Sequence, residues 1–168
     1  REGKLKVFNI RDRFWLDIDT HQDLDIAEKQ LFDKLVKPGK EGPISKYVNR
    51  RFSHILTKFL IKTPITPNQI TILSFLIAVF SGILLANTAY IAVLIGAILA
   101  QFSSIVDGVD GEVARIKLST SSFGAWFDTI LDRYGDIAVI SGAAIGVYAH
   151  SQSTAVVLIS VLALTGSI

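Results

Sequence analysis

The sequence contains no cysteine and no methionine, and only 19% of its 168 residues are charged. Without cysteine it offers no disulfide scaffold, no thiolate metal site and no cysteine nucleophile. Charged residues are also absent from residues 63–106 and from residues 137–168. Each of these uncharged blocks is long enough for about two membrane-spanning helices, because roughly 20 helical residues cross the hydrocarbon core. This distribution excludes an ordinary soluble domain.

The uncharged blocks predict an all-α integral membrane helical bundle over residues 63–168. Four spans are expected, at about residues 66–86, 89–106, 123–148 and 154–168. Small residues are expected to let these helices pack closely, among them Gly82, Gly142 and Gly146. Since the sequence lacks methionine and ends inside an apolar run, we interpret it as a piece of a longer protein with further helices at its C-terminus.

Residues 1–42 carry nine basic and nine acidic residues, and we expect them to form a small soluble segment. Thr20 is a plausible N-cap for a helix from about Gln22 to Val36. The Pro/Gly-rich residues 37–43 then end this helix and act as a linker. Residues 4–10 alternate weakly between apolar and polar side chains and are compatible with a strand.

Residues 43–62 contain five basic residues and no acidic residue. Their apolar residues recur at spacings of three and four, which predicts a basic amphipathic juxtamembrane helix at the membrane surface. A solvated helix packed on the soluble segment is the alternative. In either case the positive charge places the N-terminus on the cytoplasmic side. From a cytoplasmic N-terminus, the first two spans cross the membrane and return. The charged residues 107–136 are therefore expected on the cytoplasmic face as well.

Four aspartates stand between the second and third predicted spans. Asp107 and Asp110 are three residues apart, and Asp128 and Asp132 are four apart, so each pair projects from one face of a helix. Two antiparallel helices can bring the four carboxylates together, where they repel one another unless a cation lies between them. Because this segment has no cysteine or histidine, the oxygen donors favour Mg²⁺ or Mn²⁺ over zinc.

The other charged residues of this segment allow a second interpretation. The acids could simply pair with Arg115, Lys117 and Arg133 at a helix end, but three bases cannot neutralise six acids. We expect Glu112 and Asp136 to be surface partners of these bases. Gly108 and Gly111 leave the helix surface bare beside the acids, and Arg115 and Lys117 could hold anionic oxygens there.

The pattern D-x-x-D-G-x-x-A-R, eight residues, and G-x-x-x-D-x-x-x-D occupies residues 107–132. It resembles the signature of the CDP-alcohol phosphotransferase family, and every fixed position is present. The resemblance covers residues 66–168 and corresponds to the first four of the family's usual six helices. It implies transfer of a phospho-alcohol group from a CDP-linked donor to an acceptor hydroxyl, with release of CMP.

The same resemblance implies roles for individual residues. Four aspartates are implied as ligands of the metal, Mg²⁺ or Mn²⁺: Asp107, Asp110, Asp128 and Asp132. Asp132 is also implied as the catalytic general base that takes the proton of the acceptor. Contacts with the CDP moiety are implied for Gly111, Arg115, Ser121 and, through the Thr66-Pro67-Asn68 entry to the first span, Asn68. A homodimer through membrane helices would fit the family.

The string Phe14-Trp-Leu-Asp-Ile-Asp-Thr20 and the helix after it resemble the closing segment of sugar-nucleotide-forming nucleotidyltransferases. This implies a parent chain in which a cytoplasmic domain makes a CDP-activated compound and the membrane domain uses it. Bifunctional enzymes that make CDP-inositol and join it to inositol phosphate have this design. The acceptor would then be inositol phosphate or a similar polyol phosphate. The alternative is an unrelated linker helix.

Two other functions compete with this interpretation. A divalent-cation transporter would use the same aspartates as a pathway and would carry metal into liposomes without any CDP-alcohol. A bare membrane anchor for a soluble domain would need no group of four aspartates, and one span would serve it. The expected partners are the CDP-alcohol donor, a hydroxyl acceptor and the lipid bilayer, with no nucleic acid.

Overall fold

The computed structural model describes residues 19–20, 22–23, 26–27, 30 and 49–167. Five helices are bounded in this part of the chain: α1 (Arg50–Leu60), α2 (Pro67–Leu85), α3 (Tyr90–Ile116), α4 (Ser122–Ser151) and α5 (Thr154–Ser167). The described residues contain no strand, which confirms the all-α prediction for them. The chain divides into two compact units, residues 1–35 and residues 36–168. The predictions for residues 4–10, 14–18 and 37–43 lie outside the described residues.

In the first unit, Thr20 begins a helix. Its hydroxyl oxygen accepts a hydrogen bond from the Asp23 amide at 3.2 Å, and the Asp23 carboxylate accepts one from the Thr20 amide at 2.9 Å. This reciprocal pair satisfies two amides that the first helical turn leaves free. The hydrogen bond from the Thr20 hydroxyl lowers the pKa of Asp23. The predicted N-cap at Thr20 is confirmed, whereas the predicted end of this helix lies outside the described residues.

In the second unit, α2 begins with a capping box. The Thr66 amide donates to the Gln69 side chain at 2.9 Å, and the Gln69 amide donates to the Thr66 hydroxyl. Pro67 occupies the first helical position, where its missing amide hydrogen costs nothing. These local signals fix the start of α2 where the sequence predicted the first span to begin.

Two of the described helices, α2 and α3, are long and apolar enough to cross a membrane. The third predicted span falls on α4, whose N-terminal half carries four charged residues. The fourth falls on α5, which is apolar but has only 14 residues. The structure therefore supports an all-helical chain with two candidate spans.

Helix α2 packs against both α3 and α4, and glycines make the contact with α4 close. A Cβ atom on Gly142 of α4 would overlap the backbone of Gly82 in α2. A Cβ atom on Gly146 would likewise overlap the carbonyl oxygen of Leu85. The backbones of α2 and α4 are therefore so close at these positions that only glycine fits. This confirms the prediction that small residues let the helices pack closely.

We expect Gly142→Ala to destabilise the protein by about 1–3 kcal/mol, because the added methyl group forces the helices apart. Gly166→Ala is the matched control, since no neighbouring atom lies within 4 Å of a Cβ placed there. Thermal unfolding of the detergent-purified full-length protein measures the difference. Equal melting temperatures for the two variants would contradict the close packing of α2 on α4.

Helix α1 packs along α3 and has apolar side chains on two sides. Leu56 and Leu60 pack against a buried cluster that α2 and α3 supply: Ile70, Val106, Val109 and Val113. Phe52, Ile55 and Phe59 lie on the other side, each more than half exposed. The predicted amphipathic helix is thus present from Arg50, and it keeps an uncovered apolar face.

Candidate functional site

The predicted aspartates line a cleft between α3 and α4. Both helices pack against α2, but they make little contact with one another. Asp107 and Asp110 project from the C-terminal half of α3, while Asp128 and Asp132 project from the N-terminal half of α4. Helix α2 forms the floor of the cleft. The spacing in the sequence thus brings the four acids to one place, and α2 keeps the two helices apart around them.

Three of the four carboxylates lie close together, and we call them the carboxylate cluster. One oxygen from each of Asp107, Asp128 and Asp132 lies within 4.8 Å of the other two. All three residues are partly buried. Oδ1 of Asp128 is buried and has no hydrogen-bond partner among the described residues. Three convergent carboxylate oxygens, with a buried and unsatisfied oxygen on one of the three residues, are a donor set that fits a hard divalent cation.

Asp110 lies beside this group and has a partner of its own. It is 7% exposed and accepts a hydrogen bond from the Thr71 hydroxyl of α2. Its carboxyl group also lies within hydrogen-bonding reach of Asp128. Thr71 is a site residue that the sequence reasoning missed. The only signal for it was its position one turn after the predicted Thr66-Pro67-Asn68 entry.

One cavity of about 250 Å³ opens on the side of the cleft nearest the α3–α4 loop. Its lining includes Asp110 and Asp128 together with the four residues predicted to contact the CDP moiety: Asn68, Gly111, Arg115 and Ser121. The structure therefore brings these four residues, which come from α2, α3 and the start of α4, to one cavity. We call it the loop-side cavity.

Two glycines shape the loop-side cavity. A Cβ atom on Gly111 would lie 3.4 Å from the Arg115 guanidinium, in ordinary van der Waals contact, so the guanidinium lies directly beside the backbone of Gly111. A Cβ atom on Gly124 would lie 3.1 Å from the Ser121 hydroxyl and 3.4 Å from the Asn68 side-chain oxygen. Ser121 caps α4 by accepting a hydrogen bond from the Gly124 amide at 2.9 Å. The start of α4 and a guanidinium thus face one space, an arrangement that favours anions.

A second cavity, of about 270 Å³, lies on the other side of the carboxylate cluster. We call it the inner cavity. Its lining includes Asp107, Asp132, Arg133 and Asp136, with the hydroxyl-bearing residues Ser74, Ser103 and Ser104. The Arg133 guanidinium lies 3.9 Å from the Asp136 carboxylate on the same helix. Asp132 therefore belongs to the carboxylate cluster and also lines the inner cavity.

Two expectations for charged residues at the C-terminal end of α3 were wrong. Glu112 is not a surface partner, since it is buried and accepts hydrogen bonds from the Ser53 and Thr57 hydroxyls of α1. Lys117 does not line the loop-side cavity. Its ammonium group donates to the carbonyl oxygens of Thr63 and Ile65, at 2.7 and 2.8 Å. In both cases a contact with a distant segment holds the side chain. Asp136 is exposed and faces Arg133, as expected.

Comparison with known proteins agrees with the family resemblance of residues 107–132. A family model described as CDP-alcohol phosphatidyltransferase matches residues 64–167. A "Bifunctional IPC transferase and DIPP synthase" of Aquifex aeolicus is 42% identical over 144 residues, which are 86% of this chain and 32% of the relative. A protein of the same name from Thermococcus kodakarensis is 38% identical over 166 residues, 99% of this chain and 37% of the relative. An "Archaetidylinositol phosphate synthase" of Pyrococcus horikoshii is 37% identical over 91 residues, 53% of this chain and 46% of the relative. The chain thus spans about a third of the length of the bifunctional relatives.

Proposed function

Since the chain belongs to the CDP-alcohol phosphatidyltransferase family, we propose that it transfers a phospho-alcohol group from a CDP-alcohol to an acceptor hydroxyl and releases CMP. One observation carries the proposal. The carboxylate cluster of Asp107, Asp128 and Asp132 contributes residues to two separate cavities, Asp128 to the loop-side cavity and Asp107 and Asp132 to the inner cavity. Two cavities that meet at one cluster of acids suit a transfer between two substrates. Family membership favours this reaction over cation transport by the same aspartates.

The carboxylate cluster would hold a divalent cation, Mg²⁺ or Mn²⁺. Asp107, Asp128 and Asp132 supply the converging oxygens, and Asp110 stands next to them with its orientation set by Thr71. When bound, the cation supplies positive charge for the diphosphate oxygens of the donor and the departing CMP. Without a cation these partly buried carboxylates repel one another, and that repulsion favours binding one.

The donor would bind in the loop-side cavity. Arg115 can form paired hydrogen bonds with phosphate oxygens, and Gly111 lines the cavity beside its guanidinium. The free amides in the first turn of α4 favour the same charge. Asn68 and Ser121 lie at the same mouth and can contact the rest of the CDP moiety. These four residues therefore orient the donor with its diphosphate toward the aspartates.

The acceptor would approach from the inner cavity, where Asp132 meets its hydroxyl. The acceptor oxygen forms a bond to the donor phosphorus next to the alcohol, and the bond from that phosphorus to CMP breaks. Asp132 takes the proton of the attacking hydroxyl. The inner cavity also contains Arg133, whose guanidinium suits a phosphorylated acceptor. Inositol phosphate or a similar polyol phosphate is therefore the acceptor we propose, and the name "Archaetidylinositol phosphate synthase" of one relative supports it.

The residues before the membrane helices extend the proposal. We assign residues 1–42 to the end of a cytoplasmic nucleotidyltransferase-like domain and a linker, residues 43–62 to a juxtamembrane helix and residues 63–168 to the transferase domain. Relatives with a bifunctional name support a parent chain that both makes and uses a CDP-activated alcohol. The uncovered apolar face of α1 supports a helix lying on the bilayer surface.

The proposed reaction is tested with the purified full-length protein. CDP-inositol and CDP-diacylglycerol are each supplied with inositol phosphate and Mg²⁺, and CMP is measured. We expect CMP release that requires both the acceptor and the cation, with EDTA abolishing it and Mg²⁺ or Mn²⁺ restoring it. Release from one donor alone identifies that donor. If neither donor yields CMP while Mg²⁺ crosses the membrane of protein-containing liposomes, the transferase proposal is wrong.

The proposed topology places four spans on α2–α5, with the N-terminus and the aspartates on the cytoplasmic side. The absence of native cysteine in this chain permits single-cysteine labelling, once any cysteine elsewhere in the full-length protein is replaced. We expect Ser119→Cys, in the α3–α4 loop, to react with an impermeant maleimide only from the cytoplasmic side. Thr88→Cys, in the α2–α3 turn, is expected to react only from the opposite side. The reverse pattern would overturn the orientation.

A further inference from the structure

Glu112 is a buried carboxylate of α3 that takes no part in either cavity. It is 5% exposed, and it immediately follows Gly111, which lines the loop-side cavity. Both of its oxygens face α1. Oε1 accepts a hydrogen bond from the Ser53 hydroxyl at 3.1 Å, and Oε2 accepts one from the Thr57 hydroxyl at 2.6 Å. Ser53 and Thr57 are themselves buried.

A third side chain of α1 faces the same carboxylate. Nε2 of His54 lies 3.5 Å from Oε1 of Glu112. Residues 53, 54 and 57 thus surround one carboxylate from a single side of α1. Burying a carboxylate is costly unless hydrogen bonds satisfy it, and here each oxygen has its own donor. We call the contact of Glu112 with Ser53 and Thr57 the α1 latch.

The α1 latch acts on the turn of α3 that faces the donor. Asp110, Gly111 and Arg115 line the loop-side cavity, while the carboxylate of Glu112, in the same stretch of α3, points to α1. The cleft leaves the turn little support from α4. Apolar contacts of Val109 and Val113 with the buried cluster hold it, but such contacts are not directional. Together with the hydrogen bond from Thr71 to Asp110, the two hydrogen bonds to separate oxygens of Glu112 oppose rotation of α3 about its own axis.

We propose that Glu112 is a positioning residue for the donor. Through the α1 latch it holds Asp110, Gly111 and Arg115 in the positions from which they contact the diphosphate of a CDP-alcohol. The inference rests on the proposed function and adds to it a dependence of donor binding on α1. Loss of the latch therefore weakens the donor side of the reaction, and the acceptor, bound in the inner cavity, is not affected.

The test compares Thr57→Val, Thr57→Ser and Glu112→Gln in the full-length protein. Valine has the shape of threonine without the hydroxyl, and serine keeps the hydroxyl. We expect Thr57→Val and Glu112→Gln each to raise KM for the CDP-alcohol about tenfold, the effect of losing a buried hydrogen bond to a charged group. KM for the acceptor is expected to stay within about twofold, and Thr57→Ser to restore the donor KM, since it keeps the bond.

The double variant and the unfolding temperature complete the test. If the two residues act through one contact, Thr57→Val adds little to the donor KM of Glu112→Gln. Unchanged donor KM in both variants, or equal increases in donor and acceptor KM with a lowered unfolding temperature, would overturn the positioning role and leave the proposed reaction standing. Absence of CMP release from the wild-type protein would instead overturn the reaction and the inference together.

Discussion

If the proposed reaction is correct, replacing Asp128 with asparagine is expected to abolish CMP release, with a loss of about 10³-fold or more, because the change removes a carboxylate from the proposed cation site. Asp128 belongs to the group of three converging aspartates and also lines the loop-side cavity. Its Oδ1 atom is buried without a hydrogen-bond partner among the described residues. Asparagine keeps the shape of the side chain, but its amide lowers the negative charge of the group and can turn a nitrogen toward the cation.

The measurement is CMP release at saturating donor and acceptor over a range of Mg²⁺ concentrations. Asp19→Asn is the matched control, since it makes the same chemical change at an exposed residue of the first unit. Binding of Mn²⁺ by the resting protein gives a readout that does not depend on turnover, and we expect Asp128→Asn to weaken it. Activity of Asp128→Asn within tenfold of wild type would contradict the role of this residue in holding the cation.

Much of the site could be predicted because its residues follow local rules. Spacings of three and four place Asp107 with Asp110 and Asp128 with Asp132 on helix faces, wherever the helices lie. Thr66 is a capping residue, and its box with Gln69 fixes the start of α2 within one turn. Such signals depend on neighbours in the sequence, so tertiary structure adds little to them.

The contacts that the sequence did not reveal join distant segments. Thr71 meets Asp110 across 39 residues, and Thr57 meets Glu112 across 55. A lone threonine in an apolar helix commonly bonds to a carbonyl of its own helix, so its type does not name a distant partner. Glu112 was misjudged for a similar reason. A charged side chain is usually exposed, so the sequence favours a surface position for Glu112. The hydrogen-bond donors that allow its burial lie on another helix, α1, and its own neighbours in the sequence do not reveal them.

The cleft also depends on tertiary structure. The sequence predicted that α3 and α4 bring their aspartates together, which they do. It did not indicate that both helices pack on α2, with backbone contacts at Gly82 and Gly142 that bring α4 close to α2. The aspartates meet because α3 and α4 share α2 as a packing partner. The small residues of the spans therefore help to place α4, and with it Asp128 and Asp132, as well as to stabilise the bundle.

Replacing Asp132 with asparagine is expected to lower kcat about 10²- to 10⁴-fold, the range for loss of a general base. Asp132 belongs to the carboxylate cluster and also lines the inner cavity, which agrees with its proposed roles toward both the cation and the acceptor. The amide cannot take the proton of the acceptor hydroxyl. KM for the donor is expected to change little, because the loop-side cavity does not include Asp132.

An acceptor analogue with a more acidic hydroxyl distinguishes the two roles of Asp132. A fluorinated polyol phosphate gives up its proton more readily, so it should depend less on a general base and lose less activity in Asp132→Asn than the natural acceptor does. If Asp132 only held the cation, both acceptors would lose the same factor, and added Mg²⁺ would recover part of it. Equal losses with recovery by Mg²⁺ would therefore overturn the assignment of Asp132 as the base and leave it as a ligand.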